Sequence, residues 1–267
     1  LKLANIVPVS LLGTIPHEQT VHLVLSELIL ENGDYYKFYK DRRDHGDFVI
    51  LDNPVHENRP VAIARWIEAV KLLMPNVAVI PDVIDSDADT VSNAMTALRK
   101  FDAMTTDGIE LMAVPHGVSQ SDWRNCAETL ARFEKITYFG ISLERRLKDD
   151  NWALARRRER VRMLLDDTVA FDRIKLHLLG ISERGDELGD DYIWSRASSA
   201  DASKYAVWNM LGTPVTPPVP VTKYYPGRGP FGGGYEYFTT DKPAVVSERR
   251  MRNNLRKWVN YAQREFL

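Results

Sequence analysis

Cysteine is almost absent: Cys126 is the only one in 267 residues. One thiol cannot build an intramolecular disulfide framework, nor supply the clustered thiolates of a zinc or iron–sulfur site. Set in the helical pattern SDWRNCAETLARF, it reads as a small buried apolar residue. Long apolar runs are missing too. No stretch approaches the roughly 20 residues that cross a bilayer, and no charged n-region with an apolar h-region opens the sequence. The expectation is a cytoplasmic protein with no membrane partner. Neither sign of charge is in excess, since 35 Lys and Arg face 37 Asp and Glu for a net charge of −2. Nucleic-acid binding therefore has no global signature and would need a local basic patch.

What is present is a composition, 44% hydrophobic and 27% charged, that can bury a sizeable core. Five short apolar runs, FVILDN, VAVIPD, LMAVPHG, YFGISLE and IKLHLLGI, end on chemically loaded residues. These are Asp52, Asp82, His116 with Gly117, Gly140 with Ser142, and His177 with Gly180. A helical pattern follows each run. Continuous apolar runs mark parallel strands buried on both faces, and their spacing is about one strand-plus-helix unit. IVPVSLL, DYYKFYK and YIWSRA are further strand candidates, while HEQTVHLVLSELILEN (closed by Asn32-Gly33) and SADASKYAVWNML read as helices.

The expected fold is a single-domain (β/α)8 TIM barrel over residues 1–267, with a doubly wound open sheet as the alternative. Residues 213–243, rich in Pro and Gly, read as a long loop or flap, and residues 245–267 as a basic C-terminal helix. In a barrel the C-terminal strand ends share one mouth, where active sites sit. Scattered residues would then line a single pocket.

Asp52 and Asp82 at strand ends can serve as general acid/base or nucleophile, or more plainly as caps. Asp85, Asp87 and Asp89 form an acidic turn that lacks the glycine and distal Glu of a calcium loop, so no metal is expected. Gly117, Gly140 and Gly180 would let a flat polar ligand approach the backbone closely. Asp201, in WSRASSADASKY, is either a helix N-cap or a carboxylate nucleophile. Arg145 and Arg146 follow a strand end, Arg196 precedes the Asp201 segment, and Arg228 lies in the flap with Tyr224, Tyr225 and Phe231. Together they offer phosphate contacts and base stacking. The whole basic run from Arg145 to Arg162 reads either as a solvated helix face or, because it follows a strand end, as part of that surface near the mouth.

The ordered set LDN, PD, PHG, GIS, HLLGI and a late SSADAS resembles the tRNA-guanine transglycosylase superfamily, closest to its compact phage-type DNA-guanine transglycosylases. The likeness spans roughly Ile6 to Met210. It implies a barrel enzyme that exchanges guanine in DNA for a preQ0-type 7-deazaguanine through a covalent Asp–sugar intermediate. By this resemblance Asp52 is the general acid/base and Asp201 the nucleophile. Asp82, His116, Gly117, Gly140, Ser142, Leu179 and Gly180 hold the base, and Arg145, Arg146, Arg196 and Arg228 hold the nucleic acid.

The implied partners are DNA (RNA less so) and a free 7-deazaguanine, with no cofactor and no metal, in a host cytoplasm if phage-encoded. The sequence departs from the family where Pro54, Val55 and His56 follow the first motif, where His116 replaces a common Gln, and in lacking a Cys-rich zinc site. Alignment through Arg196-Ala197-Ser198-Ser199 would place Ser199, not Asp201, at the nucleophile position. A tRNA-guanine transglycosylase, a two-carboxylate barrel hydrolase using Asp52 and Asp201, and an inactive nucleic-acid binder are the alternatives.

Overall fold

Short segments dense in Val, Ile and Leu cannot satisfy their backbone groups alone, and pairing side by side resolves this. Eight segments, the polar ASSADA among them, do so in the computed structural model, which describes residues 2–15, 17–55, 60–104, 108–142, 150–167, 171–180, 196–202 and 253. They are β1 (Lys2–Asn5), β2 (Val21–Leu25), β3 (Phe48–Asp52), β4 (Val77–Val79), β5 (Glu110–Ala113), β6 (Ile136–Ser142), β7 (Lys175–Leu179) and β8 (Ala197–Ala202). Every neighbouring pair is parallel, and β8 returns to β1 to close the barrel. The chain is a single-domain (β/α)8 barrel.

The described helices are α1 (Ser26–Glu31), α2 (Gly33–Asp44), α3 (Ile63–Leu73), α4 (Asp87–Asp102), α5 (Gln120–Ala131) and α6 (Asp150–Asp166). Ser86 caps α4 and Ser119 caps α5 in a reciprocal capping box with Asp122. Outward strand residues such as Val49, Ala78 and Phe139 join the helices' Trp66, Trp123 and Leu130 in the main core. Inward residues Ala4, Leu23, Ile50, Val79, Met112, Val114 and Tyr138 fill the barrel itself. At its N-terminal end Lys175 donates to Glu110 at 2.6 Å, and Lys2 Nζ sits 3.4 Å over the Phe48 ring.

Several element assignments shift. IVPVSLL is not the first strand: β1 precedes it, and Val9–Thr14 forms a 3-10 turn. The segment read as one helix, HEQTVHLVLSELILEN, holds β2 and then α1, because its Val-His-Leu-Val-Leu core pairs along β3. Asn32 does close α1, its N–H bonding the Leu28 carbonyl, but it also starts α2, since its side chain accepts from the Tyr35 amide. DYYKFYK is therefore helical, and Tyr35 and Tyr39, one turn apart, are buried edge-to-face with ring centroids 4.7 Å apart.

The last strand also moves. Residues 192–195 of YIWSRA lie outside the described residues, and β8 runs over Ala197–Ala202. Asp201 is thus inside a strand, not the N-cap of a helix beginning at Ser199. The proposed flap and C-terminal helix lie outside the described residues, apart from residue 253.

Cys126 packs in the α5 face and is buried. Burial pushes its thiol up to about 11, so almost none is thiolate near neutral pH. In the native protein, labelling by an aromatic disulfide reagent at pH 8 should be far slower than in denaturant. Equal rates in both conditions would contradict this packing.

Candidate functional site

The mouth is built from residues that parity aims inward. Ala4, an interior residue, is the register partner of Asp201, and His177 is that of both Gly140 and Ser199. Gly140, His177, Ser199 and Asp201 therefore share the barrel interior, with Leu179 and Ser142 one step nearer the mouth on β7 and β6. Asp52 ends β3, while Asp82 and His116 follow β4 and β5. Two polar clusters result.

The first cluster centres on Asp82, which is 5% exposed. Asn53 Nδ2 donates to its Oδ1 at 2.8 Å, and His116 Nε2 donates to its Oδ2 at 2.5 Å. Asn53 also reaches the Ile80 carbonyl at 3.3 Å, tying the β3 and β4 ends together. Half-buried Asp52 accepts the Asn53 amide at 2.9 Å, as Asp does when it shapes a turn. Asp52 and Asp82 thus stand beside one another through Asn53.

The second cluster centres on Asp201, 3% exposed. Gly180 N–H donates to Asp201 Oδ1 at 2.9 Å, and His177 Nε2 approaches the same oxygen at 3.1 Å. Ser199 Oγ lies 2.7 Å from His177 Nδ1. A neutral His177 that gives its Nε2 proton to the carboxylate accepts the Ser199 hydroxyl at Nδ1, which fixes the tautomer. Both donors to the carboxylate sit on Oδ1, so Oδ2 carries no hydrogen bond among the described residues.

Ser–His–Asp order alone would fit acyl transfer, but depth argues otherwise. Ser199 lies two residues further from the mouth than Asp201 on the same strand, so a substrate entering the mouth meets the carboxylate first. Ser199 lies against the far side of the His177 ring from Asp201.

The glycines divide by role. A Cβ on Gly140 would fall 2.7 Å from Leu179 Cδ1 and 3.0 Å from Val114 Cγ2, so this residue helps form an apolar floor within the barrel. Gly180 has φ +68°, a conformation that favours glycine, and spends its amide on Asp201. Gly117 has a packing role. A Cβ there would lie 2.3 Å from the Trp123 amide nitrogen, so Gly117 lets the start of α5 pack closely.

Of the four arginines assigned to nucleic acid, Arg196 alone lies among the described residues. Arg196 is exposed immediately before β8, at the opposite end of the barrel, which removes it from a mouth surface. Arg145, Arg146 and Arg228 lie outside the described residues. Arg157 and Arg160 of the basic run are buried, not solvated, and the Arg160 guanidinium lies 4.9 Å from the Trp123 ring centroid.

Asn53, His177 and Ser199 are the site residues that strand-end reasoning did not assign a role. The signal for His177 and Ser199 was parity: each sits two positions before a residue that was picked. Among the described residues no group of three or more His, Cys, Asp or Glu is arranged to hold a metal ion, and no helix is long and apolar enough to cross a membrane.

No protein-family model and no curated protein matches the chain.

Removing the Asp82 carboxylate would strand two buried donors. Asp82→Ala should cost about 1–3 kcal/mol for each donor left unsatisfied, read by urea denaturation, whereas Asp82→Asn should cost less. Equal stability of Asp82→Ala and the parent would contradict the network.

Proposed function

We propose that this barrel is a guanine transglycosylase that replaces guanine in DNA with a 7-deazaguanine base. The observation that carries the reading is Asp201: a buried carboxylate near the mouth, with one oxygen held by His177 and the Gly180 amide and the other without a hydrogen bond among the described residues. Its supports are the strand-end order of Asp52, Asp82, His116, Gly140 and Gly180, which follows the transglycosylase pattern. A carboxylate fixed by donors, unable to rotate, and backed by an apolar floor is suited to attack a sugar carbon.

In the proposed reaction Asp201 Oδ2 attacks C1′ of a deoxyguanosine. The C1′–N9 bond breaks and its electrons leave with guanine, which takes a proton from Asp52. The incoming 7-deazaguanine gives its N9 proton to Asp52 and attacks C1′. The bond from C1′ to Asp201 then breaks and the carboxylate is restored. Two displacements retain the configuration at C1′, as in retaining glycosidases. The DNA backbone stays intact.

Asp82 reads the base edge. With both its oxygens already paired to Asn53 and His116, it presents its remaining lone pairs in a fixed plane, as recognition of ring N–H and exocyclic amine donors requires. A base within a duplex must be flipped out, or presented single-stranded, to enter.

Incubation with a radiolabelled 7-deazaguanine and guanine-containing DNA should transfer label into the polymer and release one guanine per label. Asp201→Ala should lose at least about a thousandfold in rate, and Asp52→Ala about a hundredfold or more. Label entering RNA alone would move the assignment to tRNA-type exchange. Guanine release without incorporation would instead indicate a hydrolase, and full activity of Asp201→Ala would sink the mechanism.

A further inference from the structure

We infer that Arg157 is a positioning residue for the Asp201 carboxylate, acting through the Leu179–Gly180 peptide. Arg157 lies on α6, outside the barrel, and is completely buried although its neighbour Arg158 is exposed. Its Nη2 donates to the Leu179 carbonyl oxygen at 2.5 Å. The N–H of that same peptide belongs to Gly180 and donates to Asp201 Oδ1 at 2.9 Å. One peptide group therefore stands between a buried cation and a buried anion, with its oxygen toward the cation and its hydrogen toward the anion.

That orientation is not guaranteed by the chain. Gly180 has no Cβ and sits at φ +68°, and glycine readily accommodates the backbone change that flips a preceding peptide. A flipped peptide would turn the Leu179 oxygen toward the carboxylate and the Gly180 N–H toward the guanidinium, opposing both charges. Arg157 holds the carbonyl end and so keeps the donor aimed at Asp201. It also polarises the peptide, because hydrogen bonds in series strengthen one another in a low-dielectric interior. A guanidinium suits the place: it keeps its charge when buried and offers several fixed donors.

This role deepens the transglycosylase reading and rests on it for its catalytic consequence; the geometry itself does not. The test uses the full chain labelled with 15N-glycine, as wild type, Arg157→Met and Arg157→Lys. The Gly180 amide proton should resonate far downfield in the wild type, move upfield in Arg157→Met, and move less in Arg157→Lys. In base exchange, kcat of Arg157→Met should fall about ten- to a hundredfold, the scale of other outer-sphere positioning losses, with KM for the free base unchanged. Arg157→Lys should recover part of that loss.

A folded Arg157→Met with an unmoved Gly180 resonance overturns the inference, even if the wild type exchanges bases. If the wild type exchanges no base but the resonance moves as described, the transglycosylase reading fails and the positioning role stands. Should Arg157→Met not fold, Arg157→Lys decides alone, and a resonance identical to wild type overturns the inference.

Discussion

A carboxylate held inside the barrel mouth is the constraint around which the C-terminal strands are organised. An isolated buried charge is too costly to persist, so Asp201 requires donors fixed by neighbouring elements. His177 on β7 and the Gly180 amide just beyond it provide them. Each demands something further: a hydroxyl from Ser199 to set the histidine tautomer, and a left-handed glycine to bring its amide inward. The residues of β8 follow from this, since Ala, Ser and Asp are small enough to lie beside the imidazole.

The Asp82 cluster solves the same problem differently. There the buried carboxylate has both oxygens engaged by side chains from β3 and β5 ends, Asn53 and His116. Asp201 has both of its donors, among the described residues, on one oxygen. Under the proposed exchange this difference in environment separates a base-reading carboxylate from an attacking one.

The barrel was legible because β3 to β7 are short, mostly apolar runs, each followed by a helical pattern, as buried parallel strands are. β8 was not. ASSADA carries Ser199 and Asp201 at its inward positions, and that pattern matches a helix N-cap as well as it matches a strand. β2 was hidden because VHLVL runs straight into α1 with no turn residues between them, so one helical period covered both. Asp52, Asp82 and His116 were visible as strand ends, whereas Asn53 and Ser199 gained roles only through bonds to residues far away in sequence. Gly117 packs tightly against α5, and such packing leaves the same mark on a sequence as close approach to a ligand.

The decisive event in the proposed exchange is which atom bonds to the sugar. Guanine-containing DNA can be incubated with the protein without a replacing base, the covalent complex denatured, digested and mapped by peptide mass spectrometry. The account predicts a deoxyribosyl adduct on Asp201, in a peptide that Asp201→Asn no longer yields. An adduct on Ser199 or Asp52 instead would contradict it.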